Sequence, residues 1–86
     1  MSDRSHNPLL RSAILDVVEN QLRDNTPLET RATLQRLMAD GLSRNQAVEL
    51  IATAVSVEIF DVLKSNQPYN ETRYVAALRA LPKLPY

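Results

Sequence analysis

The sequence contains no cysteine or tryptophan, one glycine and one histidine. Without cysteine the chain cannot form disulfide bonds, cysteine-ligated zinc sites or thiol nucleophiles. One glycine is too few for the glycine-rich loops that bind nucleotide phosphates. His6 alone cannot supply a catalytic triad or a two-histidine metal site, and we interpret it as a solvated residue of the N-terminal tail. We therefore predict a protein that is not an enzyme and that has no cofactor and no bound metal.

The charged residues balance, because ten basic and ten acidic side chains give a formal net charge of zero. Such a chain lacks the positive field that attracts nucleic acid or anionic lipid, so we expect neither as a partner. Residues 34–51 have the outline of a helix-turn-helix, but the start of the second helix offers only Arg44, Asn45 and Gln46 as reading residues, which disfavours DNA binding. The first seven residues are polar rather than the start of a signal peptide, and we expect the protein to be cytoplasmic.

Composition and periodicity together predict an all-α fold. Hydrophobic residues make up 44% of the 86 residues and aromatic residues only 5%, as in helical domains rich in leucine, alanine and valine. A chain this short buries a single core. We predict a compact bundle of four helices around a long central third helix. Residues 1–7 are expected to be a disordered N-terminus, residues 8–82 the single helical domain and residues 83–86 an extended C-terminal tail.

Helix-start signals mark the first two helices. Asn7 and Pro8 form an N-cap and a first helical residue, after which apolar residues recur at three- and four-residue intervals to about Asp24. These residues are Leu9, Leu10, Ala13, Ile14, Val17, Val18 and Leu22. Thr26, with Glu29 three residues later, predicts a capping box at the start of the second helix, which we expect to end at Gly41.

The third helix is predicted to be the longest. Ser43 and Gln46 form a second capping box, and the helix should run from Arg44 to about Ser65, roughly 30 Å. Apolar side chains cover well over half of its circumference, so it should lie in the middle of the bundle, while its acidic residues exclude a membrane span. Asn70 caps a fourth helix that is expected to extend from Glu71 to Leu81.

Two amide side chains in the first helix fall within its apolar face. At about 100° per residue, Asn20 and Gln21 point inward, whereas Glu19 does not. A buried amide must be hydrogen-bonded, and neighbouring helix ends offer free N–H and C=O groups. We interpret the two amides as a structural clasp that holds a loop or a helix end, with contact to a ligand as the alternative.

The third helix carries more apolar surface than three short helices can cover. Small monomers seldom leave a large contiguous apolar patch exposed, so this surplus predicts a binding surface. Its residues are Val57, Phe60, Leu63, Tyr69 and Tyr74. We predict a non-enzymatic small helical protein-interaction module whose partner is another protein or a second copy of the chain in a homo-oligomer.

Several runs together resemble a family of small uncharacterised bacterial all-helical domains. The runs are Asn7-Pro8, Val18-Glu19-Asn20-Gln21, Arg36-Leu37-Met38-Ala39-Asp40-Gly41-Leu42-Ser43-Arg44 and Tyr74-Val75-Ala76-Ala77-Leu78. The resemblance implies two His-x-x-x-His pairs, one on the first helix and one at the start of the long helix, which together could hold a metal ion. This chain lacks them, since the matching positions are Arg11, Leu15, Asn45 and Glu49.

The departure from the family pattern suggests two expectations about the interface between the first and third helices. The first is an ion pair between Arg11 and Glu49 in place of the family's metal site. The second, an alternative to protein interaction, is a metal- or small-ligand-binding domain at that interface, to which Glu19, Gln21 and Glu49 contribute. The full set that we predict to form a ligand-binding or structural polar cluster is Arg11, Glu19, Asn20, Gln21, Asn45 and Glu49.

Overall fold

Four helices make up most of the chain in the computed structural model, which describes residues 8–86. They are α1 (Pro8–Asp24), α2 (Leu28–Ala39), α3 (Arg44–Ser65) and α4 (Glu71–Ala80). Residues 8–86 contain no β-strand, so the predicted all-α fold is confirmed. The expected disorder of residues 1–7, the tail position of His6 and the Asn7 cap lie outside the described residues.

The long helix α3 is the centre of the bundle, because it packs against α1, α2 and α4. Its buried positions lie along one side and include three alanines, whose small side chains let neighbouring helices approach closely. The other helices bury narrower stripes against it, such as Ile14, Val18 and Leu22 of α1. The predicted architecture, four helices around a long central third helix, is therefore confirmed.

Three of the predicted helix-end signals operate as expected. The Ser43 hydroxyl accepts a hydrogen bond from the backbone N–H of Gln46 at 3.0 Å, and the Gln46 side chain accepts one from the backbone N–H of Ser43 at 2.9 Å. Asn70 accepts a bond from the backbone N–H of Arg73 at 2.9 Å. Gly41 follows α2 with a φ of +106°, a conformation that glycine adopts without strain.

The predicted capping box at the start of α2 is wrong. The residue immediately before the helix is Pro27, which makes no side-chain capping bond. Thr26 lies one residue too early, and its hydroxyl donates to the backbone carbonyl of Asp24 at 3.1 Å. The turn also closes through a bond from the Thr26 N–H to the Gln21 carbonyl at 3.2 Å. Local turn bonds thus compete with the cap for the threonine hydroxyl.

The apolar face predicted for α1 is too broad. Leu9 is 83% exposed, and Leu10 and Val17 are also exposed. Only the stripe spaced by four residues, at positions 14, 18 and 22, is buried. Apolar periodicity marks the side of a helix that can be buried, and it does not show how much of that side a neighbour covers.

The C-terminal end of α4 is fixed to α2 by Arg36. Its guanidinium donates to the backbone carbonyls of Leu81 at 2.7 Å and Leu78 at 3.0 Å. The Leu78 carbonyl, in the last turn of α4, also accepts a bond from the Leu81 backbone N–H at 3.2 Å, whereas the Leu81 carbonyl lies just beyond the helix. Carbonyls at a helix end depend on partners of this kind from outside the helix. The side chain of Leu81 is buried just beyond that turn.

Within residues 8–86, none of the helices combines the length and the hydrophobicity needed to cross a lipid bilayer.

Candidate functional site

Gln21 joins three helices through its side-chain carbonyl. The Gln21 Oε1 atom accepts hydrogen bonds from the Thr30 hydroxyl of α2 at 2.8 Å and from the Tyr74 hydroxyl of α4 at 2.7 Å. The inward orientation predicted for Gln21 is therefore confirmed. Its partners are side-chain hydroxyls rather than the helix-end backbone groups that we expected. We call this set of three side chains the Gln21 clasp.

The inward orientation predicted for Asn20 is wrong, because its side chain is exposed. The two amides differ because the buried stripe of α1 is narrow. At about 100° per residue, Gln21 lies about 60° around the helix from buried Val18, whereas Asn20 lies about 160° away. Only an amide close to the stripe can reach the neighbouring helices.

Tyr74 belongs to the core and not to the predicted interaction surface, since only 2% of it is exposed. The phenol ring belongs to the buried core of the bundle, and its hydroxyl donates to Gln21 of α1. Burial raises the pKa of the Tyr74 phenol to about 12. A tyrosine at a helix stripe position is equally compatible with a core and with a binding surface, so periodicity alone could not separate the two.

Two ion pairs cross the seam between α1 and α3. The predicted pair between Arg11 and Glu49 is present. A second pair joins Arg44 to Glu19, in which each of the two terminal guanidinium nitrogens donates to one carboxylate oxygen, at 2.9 and 3.0 Å. The hydrogen bonds from Arg44 lower the pKa of the Glu19 carboxyl. We call these four side chains the polar seam.

The polar seam is about half exposed, so each pair contributes only about 0–1 kcal/mol to stability. Asn45 is exposed and lies beside the seam in the same shallow depression. Residues 8–86 contain no group of three or more His, Cys, Asp and Glu side chains placed to hold a metal ion. Each carboxylate of the seam is already bonded to an arginine, which leaves little ligand capacity at the interface where the alternative prediction places a metal or small ligand.

An apolar cleft lies between α1, the C-terminal half of α3 and the loop before α4. Its volume is about 270 Å³. The walls are aliphatic and aromatic, and the Gln21 Oε1 atom, the Glu58 carboxylate and the Tyr74 hydroxyl of its lining residues are bonded within the chain. The remaining lining residues are Val17, Val55, Ile59, Val62, Leu63 and Tyr69. We call this feature the α1–α3 cleft.

The wall that Tyr69 forms is held by a buried carboxylate. Glu58 is 5% exposed, and its oxygens accept bonds from the Arg73 side chain at 2.5 and 3.0 Å and from the Asn70 backbone N–H at 3.3 Å. Arg73 also bonds to Asp61 at 2.6 Å. The bonds from Arg73 lower the pKa of the Glu58 carboxyl. This cluster ties the start of α4 to α3 and sets where the loop lies.

Sequence reasoning did not find the Glu58 cluster, although a signal exists. At about 100° per residue, Glu58 lies only about 20° from the most buried side of α3, around Ile51. An acidic residue inside an apolar stripe requires a partner. The partner, Arg73, comes from a different helix, and its proximity depends on the length and course of the loop between them.

Of the exposed or half-buried residues of the predicted interaction surface, only Leu63 and Tyr69 line the cleft. Leu63, which is 74% exposed, and Tyr69, which is 51% exposed, line the cleft. Phe60 is 58% exposed and lies about 60° around α3 from Leu63, beside the cleft mouth. Val57 is half-buried and lies a further 60° around α3 beyond Phe60, about 120° from Leu63, and it does not line the cleft.

Comparison with known proteins adds no relative to these observations. No family model, curated protein or solved structure matches the chain. The resemblance to small bacterial helical domains therefore stays a prediction.

Proposed function

We propose that the domain is a non-enzymatic protein-interaction module that binds the apolar face of a partner helix in the α1–α3 cleft. The observation that carries this proposal is the open apolar cleft of about 270 Å³, with Leu63 74% exposed at its mouth. Exposed apolar surface of this kind is unfavourable in water unless a partner covers it.

The polar atoms of the cleft favour an apolar occupant. Gln21 Oε1 already accepts two hydrogen bonds, and the Glu58 carboxylate is bonded to Arg73 and Asn70. An incoming group therefore gains mainly apolar contact and shape complementarity. A partner helix with apolar residues at i, i+3, i+4 and i+7 provides that contact, as in other complexes in which a helix binds in a groove.

The described residues also supply little for catalysis at this place. The one carboxylate in the cleft has a lowered pKa because of its bonds from Arg73, whereas a general base works best with a pKa near the working pH. No serine, cysteine or histidine is among the residues that line the cleft. Both points support a binding role over an enzymatic one.

A designed peptide tests the proposal without knowledge of the natural partner. The probe is an amphipathic helical peptide with leucine and phenylalanine along one face, added to ¹⁵N-labelled protein and followed by amide chemical shifts. We expect shifts centred on residues 59–63, Val17 and Tyr69. Leu63→Glu should weaken binding by at least about tenfold, because a charge would replace a contact at the cleft mouth.

Two controls make the test specific. Leu28→Glu introduces the same change at a leucine that is 65% exposed but lies outside the cleft, so it should leave binding unchanged. A peptide of the same composition with the apolar residues scattered around the helix should bind poorly. Equal binding of both peptides, or shifts centred away from the cleft, would contradict the proposal.

We also propose that the protein works in a reducing compartment, and we keep metal or small-ligand binding as the alternative function. The absence of cysteine supports a reducing compartment such as the cytoplasm. Metal or small-ligand binding at the α1/α3 interface is tested by metal analysis of protein purified without a histidine tag. A stoichiometric metal that is lost in a Glu19→Gln/Glu49→Gln variant would favour that alternative.

A further inference from the structure

We infer that the partner helix is α3 of a second copy of this chain, in a weak two-fold dimer centred near Phe60. The inference rests on the proposed function, because it names the occupant of the same cleft. Three features of residues 8–86 support it: the positions of the recess and of the projecting side chain, the distribution of charge, and the apolar area available.

The recess and the projecting side chain lie on the same helix. Ile59 and Leu63 line the cleft, and Phe60, one residue from Ile59, projects beside it and is 58% exposed. A two-fold axis near Phe60 brings each copy's Phe60 towards the cleft mouth of the other copy. An isologous interface requires this arrangement, in which one patch carries both complementary parts.

Charge on this face does not oppose pairing of two copies. The formal net charge is zero, so two copies experience no overall repulsion. Within each copy Arg73 pairs with both Glu58 and Asp61, and Lys64 of the same helix balances the one negative charge that these three side chains leave. Lys64 is the charged residue next to Leu63, and an antiparallel crossing of two α3 helices at Phe60 places it opposite Ser56 of the second copy, not opposite the second Lys64.

The exposed area fits a weak dimer. Phe60, Leu63 and Tyr69 are 58%, 74% and 51% exposed, which corresponds to about 100 Å² for each side chain. These three side chains provide about 600 Å² over two copies, and the aliphatic cleft walls add to this. Interfaces below about 1,200 Å² are of the transient class. We therefore expect a dimer that forms only at high protein concentration.

Sedimentation velocity over a concentration series, from on the order of 10 µM to on the order of 1 mM, tests the inference on the intact chain. We expect the sedimentation coefficient to rise from the monomer value towards the dimer value. Leu63→Glu and Phe60→Glu should each raise the dissociation constant at least about tenfold, and Leu28→Glu should change it by less than about twofold. Leu63 and Phe60 are both exposed, and circular dichroism will show that the variants keep their helices.

The absence of cysteine allows a second, geometric test. In a Lys64→Cys variant the new thiol is the only one in the chain, so a flexible bis-maleimide should join two copies through α3. Gln35→Cys places a thiol on exposed α2 and should give little crosslinked product. More product from the α2 variant than from the α3 variant would overturn the inference.

The outcomes separate this inference from the proposed function. A protein that stays monomeric throughout the series but binds the amphipathic peptide in the cleft overturns the dimer and supports a helix of another protein. A protein that neither dimerises nor binds the peptide overturns both. A dimer that is equally weakened by Leu28→Glu uses another surface, and this outcome also overturns the inference.

Discussion

Removal of the Gln21 clasp should destabilise the fold, although the change makes the side chain more apolar. Gln21→Leu keeps a side chain of similar size in a half-buried position. It deletes the oxygen that accepts bonds from the Thr30 hydroxyl at 2.8 Å and the Tyr74 hydroxyl at 2.7 Å. Thr30 is 0% exposed and Tyr74 is 2% exposed, so water cannot easily replace the lost acceptor.

The magnitude follows from the two hydroxyls left without a partner. Each buried unsatisfied donor costs about 1–3 kcal/mol, which gives about 2–6 kcal/mol for two, and we take about 3 kcal/mol because the Tyr74 and Thr30 hydroxyls are close enough to bond to each other. Leucine recovers about 1 kcal/mol through apolar burial at a partly exposed site. The net loss in the free energy of unfolding should therefore be about 2 kcal/mol, which for a chain of this size lowers the melting temperature by about 10 °C.

Urea denaturation followed by far-ultraviolet circular dichroism measures this loss, and Asn20→Leu is the matched control. Its amide is the neighbour of Gln21 but is exposed, so the control should change stability by no more than about 0.5 kcal/mol. A cycle with Tyr74→Phe sharpens the test, because it removes one of the two hydroxyls. In that background Gln21→Leu should cost about 1 kcal/mol less.

Any one of three results would contradict the stabilising role of the Gln21 clasp. Unchanged or increased stability of Gln21→Leu would show that the hydroxyls find other partners. Additive effects of Gln21→Leu and Tyr74→Phe would show that the bond between them contributes nothing. Equal losses from Gln21→Leu and Asn20→Leu would attribute the effect to α1 rather than to the contacts of Gln21.

Three further predictions follow from single contacts. Arg36→Ala should lower the free energy of unfolding, measured by urea denaturation, by about 1.5–3 kcal/mol, because it removes charge-assisted bonds to the carbonyls of Leu78 and Leu81. Arg79→Ala is the control, and it should have little effect because that side chain is 70% exposed. The bonds from Arg73 hold the pKa of the folded-state Glu58 carboxyl below its ordinary value, so its contribution to stability is present above the ordinary glutamate pKa of about 4.3 and is lost as the pH falls through the lowered value. A urea-denaturation series from neutral to acid pH should therefore slope less for Glu58→Gln than for the unmodified chain, and parallel curves would contradict this. Because the pKa of Tyr74 is raised to about 12, ultraviolet titration should show a tyrosine that ionises near pH 12, and Tyr74→Phe should remove that step. Stability should also fall as the pH rises above about 10, since at that pH Tyr74 ionises readily only in the unfolded state.

Local signals in the sequence were enough to predict the helices. The Ser43 and Asn70 caps and the single glycine at position 41 act through bonds within four residues, so they do not depend on the rest of the fold. The length and apolar breadth of α3 also predicted its central position. Thr26 was the exception, because its hydroxyl had a second local acceptor in the carbonyl of Asp24.

Contacts between helices were harder to predict from the sequence. The pair between Arg11 and Glu49 was predicted because the two residues stand at positions where the proposed resemblance implies paired histidines. No family pattern of this kind pointed to the Arg44–Glu19 pair or to the Arg73–Glu58 pair. Their partners are 25 and 15 residues apart, and their meeting depends on helix crossing angles and loop paths that periodicity does not specify.

The cleft itself follows from the unequal lengths of the helices. The central helix has 22 residues, whereas α1 has 17, α2 has 12 and α4 has 10. The C-terminal half of α3 meets α1 on one side, but α4 begins only after a loop, and Tyr69 of that loop closes the remaining gap. Because Glu58 holds the loop through Asn70 and Arg73, the ion cluster that stabilises the start of α4 also shapes the cleft. A change at Glu58 should therefore affect binding in the cleft as well as stability, whereas a change at Gln21 should affect mainly stability, because its carbonyl points to Thr30 and Tyr74 and not to an occupant.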